Sequence, residues 1–133
     1  MGRRTVEMSR SRRRTDAALG LLGLARRSGG LVLGSEAVRQ SVRSGEVALV
    51  LLAKDAAPGQ AAKVERLLAH GTVPWRRFGT RDELGAALGG PPYSAVGVIR
   101  GGFADRLLEE LDADVDSREG SPRALEDDQT YAG

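Results

Sequence analysis

The sequence predicts a three-layer α/β/α sandwich built on a small mixed four-stranded sheet. Helical and strand signals alternate from one end of the chain to the other, and the connections between them are only a few residues long. Two runs, VALVLLA at 47–53 and SAVGVI at 94–99, are apolar at nearly every position. A strand of that kind is buried on both faces, so helices must cover the sheet from each side.

The elements follow in order. TDAALGLLGLARRSGG (15–30) offers Asp16 as a helix N-cap, apolar residues at 18, 21, 22 and 25, and a stop at Gly29 and Gly30. LVL is a very short strand closed by Gly34. Ser35 then caps a helix whose Val38 and Val42 lie one turn apart on the inner face, and Gly45 ends it. After the apolar run at 47–53, Pro58 favours a helix start, and Ala61, Val64, Leu67 and Leu68 keep the 3.6-residue period until Gly71. TVPWRRF (72–78) is the next strand. Pro74 has no amide hydrogen to donate, which places this strand towards an edge. TRDE (80–83) is a capping-box signature, followed by Leu84, Ala87 and Leu88 and by Gly89 and Gly90. The second apolar strand turns through RGG into FADRLLEELDA, an amphipathic helix with Phe103, Leu107, Leu108 and Leu111 on one side.

Charge divides the chain more sharply than its net +2 indicates. Residues 1–15 carry six arginines against Glu7, and residues 112–133 carry seven acids against two arginines. Neither end has apolar periodicity, so both are expected to be disordered: a basic arm at 1–15 and an acidic tail at 112–133 around a folded domain at 16–111. The arm reads equally as a tail from an arginine-rich composition, 18 Arg to 2 Lys, or as a nonspecific grip on a polyanion.

Several chemistries have no residues to carry them. Cysteine is absent, which excludes disulfides, thiolate metal sites and cysteine nucleophiles. The apolar runs are too short to span a bilayer, and 17–25 is broken by glycines before Arg26 and Arg27, so no signal peptide or membrane partner is expected and the cytoplasm is the default location. The single histidine, His70, stands just before a helix-stopping glycine, where a cation complements the dipole. No Walker or dinucleotide glycine motif is present. The acid pairs Asp82–Glu83 and Glu109–Glu110 suit a helix first turn and a solvent face. No metal, cofactor or catalytic residue is therefore expected.

Binding remains. The turns after LVL, after VALVLLAKD and after SAVGVI are expected to open on one side, at the carboxyl ends of the strands where open α/β sheets take ligands. The first begins a helix, whose free amide hydrogens suit phosphates or base edges, with Arg39 and Arg43 one turn apart behind it. Arg100 with Gly101 and Gly102 would add a second basic turn. With one Trp, two Tyr and two Phe, the chain lacks stacking platforms for single strands, so a folded RNA shape fits better.

The order LGLARRSGGLVLGSEAV, VRSGEVALVLLAKDAAP, KVERLLAHGTVPWRRFGTRDELGAALG and AVGVIRGGFA resembles the ribosomal proteins that bind kink-turn RNA, the large-subunit seven-Ae and thirty-e family, in its bacterial YlxQ-like branch. The resemblance runs from about Leu19 to Leu108. Its most specific pieces are G-x-x-x-V at 34–38 with Gly45 eleven residues on, LVLLAKDA at 49–56, and T-R-[DE]-E-L-G at 80–85. It implies a sandwich that binds structured RNA without catalysis, in a ribosomal or translation-related setting. It also implies that the first turn of the second helix, here Gly34, Ser35, Glu36, Ala37 and Gln40, contacts sheared G·A pairs. A loop around Pro92, Tyr93, Ser94 and Ala95 would pack on the extruded nucleotide. This chain has Glu36–Ala37 where the strongest binders have Asn–Glu, and Gln40 where they have Lys, with Arg39 and Arg43 as substitutes. The expectation is a monomer that docks ribosomal or kink-turn-like RNA. The alternatives are a protein-interaction module that has kept the fold, and an RNA-recognition domain detached from a modifying enzyme.

Overall fold

In the computed structural model, residues 2–119 are described, with side chains from residue 12 to residue 113. The elements are α1 (Gly2–Arg27), β1 (Leu31–Leu33), α2 (Ser35–Ser44), β2 (Val47–Leu52), α3 (Pro58–Ala69), β3 (Trp75–Arg77), α4 (Arg81–Leu88), β4 (Ala95–Ile99) and α5 (Gly102–Glu119). This is the alternation read from the sequence. The strands form one mixed sheet in the order β1-β4-β2-β3. β4 runs antiparallel to both β1 and β2, while β2 and β3 are parallel. β3, which follows Pro74, lies at an edge as expected.

Every side chain of β2 except Ala48 is buried, and β4 is buried from Ala95 to Val98. On one face Leu49, Leu51, Val96 and Val98 meet Leu21 and Leu22 of α1, Leu84 and Leu88 of α4, and Leu107 of α5. On the other, Val47, Val50, Leu52 and Ala95 meet Val38 of α2 and Val64 and Leu68 of α3. Each fully buried leucine stabilises the fold by about 1.5–3 kcal/mol, so these two layers supply most of the driving force. Val47 pairs with Ile99 but Leu49 pairs with Val98, which leaves Ala48 as an extra residue on β2. The bulge turns both Ala48 and Leu49 to the α1 side, so Val47 and Val50 can face α2 and α3 together.

Three boundaries differ from the sequence reading. α1 begins at Gly2, so Asp16 lies inside the helix and caps nothing. Asp16 instead accepts from Arg12 one turn earlier at 3.0 Å, and Arg12 also reaches Glu83 of α4 at 3.2 Å. Hydrogen bonds to Glu83 and then Asp16 hold the Arg12 guanidinium above its ordinary pKa. The helix thus runs back past the expected start of the domain, and Arg12 ties that stretch to α4 by charge pairing. At the other end α5 continues beyond Leu111, and Asp112 forms a two-pronged pair with Arg76 of β3 at 2.9 Å on each arm. That hydrogen bonding raises the Arg76 pKa. The rest of the acidic segment, from residue 120, lies outside the described residues. The third boundary is the cap of α2: Gly34, not Ser35, holds that position.

Among the described residues no helix is long and apolar enough to cross a membrane, and no group of acidic or histidine side chains is placed to hold a metal ion.

Gly97 leaves room on β4 for the side chain of Val47 from the neighbouring strand, beneath α2. A Cβ there would lie 2.9 Å from Val47 Cγ1 and 3.6 Å from Val38 Cγ2. Gly97→Ala is therefore expected to destabilise the protein by about 1–3 kcal/mol through overpacking, read as a fall in Tm of roughly 4–8 °C per kcal/mol. An unchanged Tm would show that Val47 and its surroundings can shift to admit the methyl group.

Candidate functional site

The strand directions decide which turns share an end. β1, β2 and β3 are mutually parallel, so their carboxyl ends lie together, and the antiparallel β4 contributes its amino end to the same side. The turn into α2 therefore meets the loop 92–95: the Gly34 amide donates to the Ala95 carbonyl at 3.0 Å. Two segments expected to act together are thus joined by one bond. The turn after β4 goes to the opposite end, so the expectation that it shares this side is corrected. Arg100 donates through Nε to the Gly45 carbonyl at 3.0 Å, behind the last turn of α2. Arg43, in that last turn, is also at the far end.

Gly34 has φ +96° and ψ 151°, a conformation closed to residues with a Cβ. It turns the chain straight from β1 into α2 and leaves the helix with no side-chain cap. Ser35 is already inside the helix, and its hydroxyl donates to Gln60 Oε1 at the start of α3 at 3.2 Å. The first amides of α2 thus face outwards with no capping side chain, a donor set suited to an anion or a carbonyl edge. α4, at the same end, is closed instead. Thr80 and Glu83 form the expected capping box, and Asp55 Oδ1 accepts from the Arg81 amide at 2.8 Å. α2 is left open while its neighbour is sealed.

Glu36 is exposed at the mouth of this helix, and Arg39 donates to its Oε1 at 2.9 Å. The pair neutralises the carboxylate locally, yet an exposed pair of this type is worth only about 0–1 kcal/mol and exchanges partners readily. Ala37 is half-buried, and Gln40 stands exposed one turn beyond Glu36. In the facing loop Pro92 is exposed, while Tyr93 is half-buried with its ring against Gly90 and the α1-side core. Ser94 is buried, its hydroxyl accepting from the Ala57 amide at 3.4 Å and its carbonyl from the Ala53 amide at 2.9 Å. Ser94 and Ala95 therefore present backbone and shape rather than functional side chains.

Two residues at this end were not singled out from the sequence. Gln60 holds Ser35, and Lys54 is exposed on the turn after β2. Lys54 was within reach of sequence reasoning, since the turn that carries it was expected here. Nothing in the spacing marks Gln60, which meets Ser35 only through the packing of α2 on α3.

Residues 16–108 match the profile of the Ribosomal protein L7Ae/L30e/S12e/Gadd45 family. The RNA-binding protein YlxQ of Bacillus subtilis (strain 168) is 36% identical over 92 residues, 69% of this chain and 92% of that protein. The RNA-binding protein YlxQ of Enterococcus faecium is 28% identical over 95 residues, 71% of this chain and 91% of that one. Among solved structures, a protein of unknown function from Bacillus halodurans superposes with a TM-score of 0.68 at 35% identity, covering 71% of this chain and 96% of its own. The Giardia lamblia 15.5kD RNA binding protein shares the fold, with a TM-score of 0.65 at 19% identity over 77% of this chain and 88% of its own.

The contrast between the two helix starts has a direct test in stability. Thr80→Ala removes a working cap and is expected to cost about 1 kcal/mol, whereas Ser35→Ala is expected to cost under about 0.5 kcal/mol. Urea unfolding of the two variants compares them, and equal losses would assign Ser35 a capping role after all.

Proposed function

Because the chain belongs to the Ribosomal protein L7Ae/L30e/S12e/Gadd45 family, we propose that it is a non-catalytic RNA-binding protein that docks structured RNA through the start of α2. One observation carries this reading: α2 opens without a side-chain cap beside the 92–95 loop, and the Gly34–Ala95 bond fixes the two together. The two YlxQ relatives, each named as an RNA-binding protein, support RNA as the partner.

The chemistry follows from the groups present. The first amides of α2 donate to phosphate or base oxygens. The Glu36 carboxylate accepts from the donor edge of a guanine, and in doing so releases Arg39. The freed guanidinium then meets a phosphate with the fork geometry that arginine provides. Gln40 lies over the adjacent turn, and the 92–95 loop gives a firm wall against which an unstacked nucleotide packs. The arginines of residues 1–15 add phosphate contacts that carry no sequence information. The partner is a kink-turn-like RNA of ribosomal or translation-related origin, met in the cytoplasm or on the ribosome by a monomer.

A second reading, a protein-interaction module on the same fold, draws on Glu36 itself, whose side chain is 69% exposed where RNA phosphates would approach. One measurement separates the two: affinity for a kink-turn RNA against the same RNA with its G·A pairs replaced, at two salt concentrations. The RNA reading expects a preference for the intact motif that persists at the higher salt, and equal affinities favour the interaction module. Gln40→Lys is expected to tighten binding to the intact RNA about fivefold, roughly 1 kcal/mol for one added charge-assisted contact. Unchanged or weaker binding would move the RNA off this face of α2.

A further inference from the structure

The end of the sandwich opposite the α2 start gathers arginines that the reading above does not use. α1 and α2 both finish there, β4 leaves the sheet there and α5 begins there. Three turns are laced together by backbone bonds: the Ile99 amide donates to the Gly30 carbonyl at 2.9 Å, and the Arg100 amide to the Glu46 carbonyl at 3.2 Å. Arg26 and Arg27 end α1, Arg43 ends α2, Arg100 occupies the turn and Arg106 follows in α5. All five are exposed, against two carboxylates at this end, Glu46 and Asp105.

Elsewhere the arginines are largely spent on ion pairs. Arg12, Arg39, Arg76, Arg77 and Arg81 each meet a carboxylate, and Arg39 and Arg81 do so at the α2-start end itself. Among the described residues, Arg26, Arg27, Arg43, Arg100 and Arg106 pair with none, as do Arg13 in α1 and Arg66 in the last turn of α3. Helix dipoles account for the first three, since cations complement helix C-termini. They do not account for Arg100 and Arg106, which bracket the first turn of α5, where a positive charge is disfavoured. Arg100 is moreover held in place by the Gly45 carbonyl, which uses one of its five donors and leaves the others outward.

We infer that this arginine-lined end is a second RNA contact, which grips the phosphate backbone without reading sequence. Planar guanidiniums with free donors match phosphate oxygens, and an exposed cluster without carboxylate partners retains its charge for a polyanion. β2 spans about 20 Å between the two ends at ~3.3 Å per residue. The protein would therefore touch two separate stretches of RNA, one at each end of the sheet. The inference rests on the proposed function only in taking RNA as the polyanion.

The test is Arg26→Gln, Arg43→Gln and Arg106→Gln together in the full chain, with thermal unfolding to confirm the fold. Affinity for an unkinked RNA duplex is measured between about 50 and 200 mM salt, where each lost phosphate contact lowers the slope of log K against log salt by about 0.7–0.9. The expected result is a slope smaller by about 2–3 and binding weakened at least tenfold at the lower salt. The preference for intact over G·A-replaced kink-turn RNA is expected to stay as in the wild type. If the wild type shows no such preference but the slope still falls, the α2 reading fails and this one stands. An unchanged slope overturns the second contact. An unchanged slope with lost binding of a polyglutamate peptide assigns this end to an acidic protein instead, which also overturns it.

Discussion

β4 lies between β1 and β2 and runs against both, and most of what the molecule presents to a partner follows from that placement. A wholly parallel sheet would put every strand-to-helix turn on one side. Here the reversed strand delivers its incoming loop to the start of α2 and sends its outgoing turn, with Arg100, to the far end. The two ends thereby acquire different characters. One combines an open helix start with carboxylates that are mostly paired, Glu36 with Arg39 and Asp55 with Arg81. The other collects arginines that lack such partners.

The same strand pair sets the packing. β2 and β4 are apolar on both faces, so two helical layers are drawn onto one sheet, and neither has an independent core. The extra residue at Ala48 reconciles them, because strict alternation from Val50 would have turned Val47 away from α2. Gly97 completes the arrangement by leaving room for Val47 beneath α2. The helix proposed to dock RNA is thus seated by residues on two strands distant in sequence.

Much of this was legible in the sequence. The order of elements, the edge position forced by Pro74, the start at Pro58 and the capping box at Thr80 and Glu83 all come from local rules, and local rules suffice where a single residue dictates backbone geometry. Of the candidate site, the meeting of the 34–37 turn with the 92–95 loop was legible through the family resemblance, and the Gly34–Ala95 bond joins those two segments. Three things were not. Strand direction is a tertiary property, so Arg100 was placed on the wrong side. Ser35 has the chemistry of a cap, but Gly34 takes a backbone conformation only glycine adopts easily, which moves the helix start one residue earlier. α1 extends before Asp16, and there Arg12 reaches Glu83, a contact between residues 71 positions apart. No apolar period announces it.

Gly34 also bears on the speed of recognition. Because its amide is already bonded to Ala95, and α2 is held from behind by the contact between Gly45 and Arg100, the two halves of the proposed site would need no ordering when a ligand arrives. A preformed surface loses little conformational entropy on binding, and its encounter rate is set by diffusion and charge rather than by a folding step. On the proposed function, discrimination between RNAs would then fall on how long each complex lasts. Association would be rapid and salt-sensitive for almost any RNA, and the sequence of the ligand would be expressed in its residence time.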